Sequence, residues 1–297
     1  MELCDKYLHE LIKINPTLND FFLKEEFTSR KHIQPNIYSE GYYLKLYNLD
    51  KKYRKILEKK KDRTFYDKII LRDIIFNMHM ETEYEIYMYM PVSYRDNLLI
   101  DYVTECRGDG YYLFKNRKDY TYFLNRLTSL SSVTKEIIKK MKNGIRNKVC
   151  LSYRTVDKMI ENIQDILKNR LYEHKIKNRF KPAHWDESVE KYLVKNLELF
   201  LKFLIKEYYP HTSKNIGLQS YKGGKNAYKR IIQHETLTGI TPHQVHDLGW
   251  RELKRLVKEK ERLNIQDIDK HVYHNSKDIL DDLKKIRSDL QKKIFPK

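Results

Sequence analysis

The stretch "DESVEKYLVKNLELFLKFLIKEY", residues 186–208, decides the fold. Val189, Tyr192, Leu193, Leu197, Phe200, Leu201, Leu204 and Ile205 recur every three or four residues, with charged residues filling the intervening positions. That period belongs to an α-helix carrying a wide apolar stripe. So broad a stripe must be covered on several sides, and the segment predicts a central core helix.

The same period recurs on both sides of it. Leu3, Leu8, Leu11 and Ile12 predict a short amphipathic helix over 2–14, and the stretch 20–43, with Pro35 and Gly41, reads as irregular. From Tyr42 to about Met90 the pattern is helical in two pieces, broken around 60–63, with Ile70, Ile74 and Met78 on a buried face. The Met/Tyr run in "EYEIYMYMP" reads as packing rather than as a cofactor pocket. Tyr120, Phe123, Leu124 and Leu127 share one side of the next helix, and Val133, Ile137 and Met141 one side of its successor. Gly144 falls where a left-handed C-terminal cap is expected. Val156, Met159, Ile160, Ile163 and Leu167 form another stripe. Ile279, Leu283, Ile286 and Leu290, spaced 4, 3, 4, fit either ordinary packing or a coiled-coil seam.

With only 9 Gly and 7 Pro in 297 residues, the chain lacks the tight turns of a sandwich or barrel. The fold class expected is mostly α, a multi-helix protein. "KNRLYEHKIKNRFKP" is strongly basic without an apolar face, so the expected organisation is a helical region over 1–169, a basic linker or hinge over 170–184, and a second helical region over 185–297, or one continuous domain.

No apolar run approaches the roughly 20 residues needed to cross a bilayer, and no membrane partner is expected. Acids near the N-terminus argue against a secretory signal. Cys4, Cys106 and Cys150 are too scattered for a disulfide framework, which suits a cytoplasmic location. The net charge of +18 invites a nucleic-acid partner. Against it, 42 lysines outnumber 17 arginines, the bias of an AT-rich genome rather than of base recognition.

Candidate chemistry is confined to the histidines. In "TGITPHQVHDLGWREL", residues 238–253, Thr241, Pro242 and Gln244 make a capping box with proline at the first helical position. His243 and His246 then lie one turn apart beside Asp247, and Val245, Leu248, Leu253, Leu256 and Val257 are expected to be buried. A catalytic zinc needs three protein ligands and a nearby base. His234-Glu235 opens an H-E-x-x-H pattern, but position 238 is Thr, and His271 with His274 only repeats the spacing of three. The histidines therefore read as structural or surface residues, with no metal or cofactor expected. "YKGGKNAYKR" (221–230) offers backbone N–H groups to an anion at a helix start, without the preceding strand of a nucleotide loop.

Two stretches carry a family resemblance. In the first, Tyr120, Leu124, Arg126 and Leu127 precede Gly144-Ile145; in the second, Tyr209-Pro210, Gly217, Gly224 and Tyr228 precede Thr241-Pro242, His246, Leu248-Gly249 and Glu252-Leu253. In order and spacing the chain resembles the amino-terminal part of the bacterial family catalogued as domain of unknown function 885. Where that family often has a second glycine and a proline after Gly144-Ile145, Lys148 and Ser152 stand here, implying a different turn. The resemblance implies a helical, zinc-metallopeptidase-like fold whose H-E-x-x-P-G-H motif lies beyond Lys297, leaving this half without catalytic residues. It also makes Tyr228 and His246 candidates for facing the cleft.

The expected function is the non-catalytic half of such an enzyme, inactive alone, either degenerate or one part of a split enzyme. Its candidate partners are a second chain carrying the metal-binding half, or another copy of itself. The alternative is a basic helical module that binds a protein or nucleic acid.

Overall fold

The computed structural model describes residues 3–18, 34–83, 88–174, 180–215, 217–236, 238–262 and 275–294, with the backbone alone for 78–83 and 290–294. They are mostly α-helical and include no strand, only an isolated bridge between Ser152 and Ser213. The chain divides into two units, Met1–Gly239 and Ile240–Lys297.

In the first unit, α1 spans Leu3–Ile14, α2 Glu40–Lys59 and α3 Phe65–Glu83. They are followed by α4 (Leu98–Arg107), α5 (Arg117–Leu127), α6 (Leu130–Asn147) and α7 (Tyr153–Lys168). The central helix, α8, runs from Trp185 to Tyr208, and α9 spans Gly224–Thr236.

Helix α8 is the centre of the main core, as its stripe predicts. Leu193, Leu197, Phe200 and Leu204 are fully buried among residues from α4, α5, α6 and α7. Two five-residue π segments, Glu190–Val194 and Leu204–Tyr208, interrupt its α-helical pitch. A π turn takes more residues than an α turn, so the buried face moves round the helix. This corrects the stripe near its end: Ile205 is exposed, and Tyr208 is buried in its place. The Tyr208 hydroxyl accepts the Leu151 N–H at 2.8 Å, tying the end of α8 to the start of α7.

At its other end, Trp185 is 1% exposed. Its indole meets Tyr120 edge-on at 5.2 Å and Phe114 edge-on at 5.5 Å, and stacks on Phe123 at 5.6 Å. Tyr172, from the basic 170–184 segment, is buried in this same core, so that segment connects elements that pack together. The Tyr120 hydroxyl and His174 Nε2 are 3.2 Å apart, and burial lowers the His174 pKa.

Gly144 has a role other than the expected cap. It lies inside α6, where an added Cβ would come within 2.5 Å of the Val149 carbonyl oxygen. The left-handed cap is Lys148, at φ 60°, and its N–H reaches the carbonyls of Gly144 and Ile145. Gly144 thus admits a returning backbone, and Lys148 takes the conformation that glycine adopts most easily.

A smaller cluster joins α1, α2 and α3 through Leu49, Tyr53, Leu57 and Ile74. Met78, expected on the same face, lies where side chains are not described. At the edge of this cluster the Tyr7 hydroxyl donates to Asp50 Oδ1 at 2.8 Å. Asp50 is only 4% exposed, and desolvation pushes its carboxyl up to about 6. The folded protein therefore holds this proton more tightly than the unfolded chain, and stability falls as pH rises from the ordinary aspartate range through 6. Asp50→Asn should stabilise the protein by roughly 1–3 kcal/mol at pH 7 and by little at pH 4, as measured by urea unfolding at both pH values.

Candidate functional site

In the second unit, α10 spans Pro242–Arg262 and α11 spans Ser276–Ile294. The predicted capping box forms at the start of α10. Gln244 Oε1 accepts the Thr241 N–H at 2.8 Å, and Thr241 Oγ1 accepts the Gln244 N–H at 3.3 Å. One turn on, the two histidines diverge in their bonding. His243 Nε2 lies 3.7 Å from Asp247 Oδ2, whereas His246 Nε2 accepts the Trp250 indole N–H at 3.0 Å. The pair is not gathered around one point.

The face expected to be buried on α10 is open. Leu248, Leu253, Leu256 and Val257 are exposed, Val245 is half-buried, and Trp250 is 53% exposed. Ile279, Leu283 and Ile286 of α11 are likewise exposed, and the Leu290 side chain lies outside the description. Helical spacing established that these faces are apolar, but amphipathic spacing carries no information about what covers a face.

His234, on α9 of the first unit, is more constrained. Its ring stacks on Phe76 with centroids 4.0 Å apart, its Nε2 is 3.0 Å from Asp73 Oδ1, and its Nδ1 is 3.2 Å from Glu235 Oε1. This links α9 to α3. Its neighbour Tyr228 is 46% exposed on the same helix, and His246 is exposed on α10 of the other unit. His271 and His274 lie outside the described residues. Among the described residues no group of three or more His, Cys, Asp or Glu side chains could hold a metal ion. Of the described donors, His246 Nε2 accepts the Trp250 indole N–H, and the His234 ring nitrogens lie 3.0 Å and 3.2 Å from carboxylate oxygens of Asp73 and Glu235.

The glycine pair at 223–224 does not form an open anion cradle. An added Cβ on Gly224 would fall 1.6 Å from the Leu218 carbonyl oxygen, so an acceptor already crowds this helix start. Cys106 and Cys150 are buried free thiols, and burial raises both pKa values, the opposite of what a reactive thiolate needs.

Spacing alone missed the tip made by the turn after α2 and the first turn of α3. Phe65 and Tyr66, paired edge-on with centroids 5.9 Å apart, are 70% and 61% exposed. Asp67 Oδ2 shapes this tip by accepting from Lys60 Nζ at 2.5 Å and from the Thr64 N–H at 2.8 Å. The Lys60 ammonium, chiefly, lowers the Asp67 pKa. Arg63 is turned inward onto the Leu57 and Glu58 carbonyls, while Lys59, Lys61 and Lys68 are exposed. Lys61, Asp62, Arg63, Thr64 and Lys68 line an open hollow of 490 Å³ beside the aromatic pair. The signal was present in "KKKDRTFY", where two aromatics follow a run of cations without apolar periodicity.

These features define a helical protein with one extensive core and several uncovered surfaces. The model of a family of bacterial proteins of unknown function, domain of unknown function 885, matches residues 45–294, and the chain belongs to that family. No curated protein matches it. No helix among the described residues is long and apolar enough to cross a membrane.

Proposed function

We propose that this chain acts by binding rather than by hydrolysis, as a non-catalytic helical wall of a zinc-metallopeptidase-like architecture. In this reading its candidate partner is a second chain that supplies the metal site. The observation that carries the reading is the hydrogen bond from Trp250 to His246 Nε2 at 3.0 Å. A lone pair that accepts an indole proton must give up that bond before it can hold a metal ion, and peptide hydrolysis needs an activated nucleophile together with a stabilised oxyanion. After exposure to zinc and dialysis, the purified chain should retain well under one ion per molecule and should cleave no peptide. One tightly held zinc per chain together with cleavage would contradict the proposal.

The tip at the start of α3 supports a second reading, a basic module for single-stranded nucleic acid. Exposed aromatic rings next to lysines combine base stacking with phosphate attraction, and the +18 charge adds long-range steering. Binding of a fluorescent oligonucleotide should weaken steeply between 50 and 200 mM salt, values at which counterion release is read in such titrations. A Phe65→Ala/Tyr66→Ala variant should bind roughly tenfold or more weakly, since stacking contributes about 1–3 kcal/mol per base. Both residues are exposed, so stability should change little. Equal affinity of variant and wild type would remove this reading.

A further inference from the structure

The uncovered face of α11 has a more specific grammar than general apolarity. Ile279, Leu283, Ile286 and the position of Leu290 are spaced 4, 3, 4, which makes the isoleucines d residues and the leucines a residues of one heptad register. Ile279, Leu280, Leu283 and Ile286 are between 42% and 56% exposed. Leucine at a with isoleucine at d favours associations of more than two strands, because the shapes of the two side chains suit the packing angles of larger bundles. Leu280 occupies an e position, so the apolar face is wider than the narrow seam of a two-stranded coil. Four-stranded packing would bury that extra width.

Charge sets the direction of the strands. In the same register Asp282 is a g residue and Arg287 is the e residue five positions later. In a parallel bundle, g of one strand meets the following e of its neighbour, so Asp282 meets Arg287 at every interface. In an antiparallel arrangement g faces g, setting Asp282 and Asp289 against aspartates. Helix α10 is a poorer occupant for this face. Its Trp250, Leu253 and Val257 keep the seam spacing for three positions only, with His246 and Lys260 at the seam positions on either side.

We propose that α11 is a self-association surface through which four copies of this chain join in a parallel bundle. A cyclic arrangement of this kind uses the same interface four times, so a weak pairwise preference is repeated around the ring. The inference is independent of the functional readings above, because it rests on α11 alone.

Sedimentation equilibrium of the full chain tests it. The wild type should fit four chains rather than one or two. Asp282→Lys or Arg287→Asp alone should weaken association roughly tenfold or more, as like charges then meet at each interface. The double exchange, Asp282→Lys with Arg287→Asp, should restore it. Exchanging the core identities (Ile279→Leu, Leu283→Ile, Ile286→Leu and Leu290→Ile) should yield two chains, since isoleucine at a with leucine at d favours dimers. Unchanged helicity by circular dichroism shows that each variant is folded. A wild type of any other stoichiometry overturns the proposal, as does association that ignores the charge exchange.

Discussion

The first unit depends on one constraint: α8 carries apolar residues around so much of its surface that it must be enclosed. Leu193, Leu197, Phe200 and Leu204 leave no place for it at an edge. Helices α4 to α7 supply the enclosure, and Trp185 and Tyr208 fasten its two ends. Burying an aromatic as large as Trp185 typically contributes ~3–5 kcal/mol relative to alanine, comparable to much of a domain's net stability. The two π segments follow from the same demand. They redirect the buried face along α8 so that Tyr208, rather than Ile205, meets the core.

Where a helix lies was legible in the sequence because spacing of three and four reports one surface of a cylinder. Tyr120, Phe123 and Leu127 are buried together, as are Val133, Ile137 and Met141. The chain's own long-range returns were less legible. Gly144 resembles a cap in sequence, but its missing Cβ makes room for the Val149 carbonyl. The left-handed position belongs to Lys148, a residue type with no preference that would advertise it. The faces of α10 and α11 show a further limit. Their amphipathic patterns are as regular as those in the core, yet their apolar residues are exposed. A pattern is a property of one helix, whereas burial is a property of a pair.

The site was legible in part for the same reason. The capping box at Thr241 is local and formed as its spacing requires. What His246 does depends on Trp250, one turn along the same helix, and so was within reach of sequence reading. The environment of His234 was not, because Asp73 and Phe76 are supplied by a helix more than 150 residues earlier in the chain, with a separation of 161 residues between His234 and Asp73. The aromatic tip at Phe65 and Tyr66 lacks periodicity, so a search for helical stripes passes over it. Its shape comes from Asp67, which gathers Lys60 and Thr64 and leaves the rings outside.

Native-state hydrogen exchange in increasing denaturant tests the central claim most directly, since it resolves which segments open together. If α8 is the element on which the main core is built, its amides over 193–203 should exchange only with global unfolding, alongside those of α5 and α6. The amides of α1 to α3, held by a smaller cluster, should open at lower free energy. Exchange of α8 through a local opening while α1 to α3 remain protected would contradict the account.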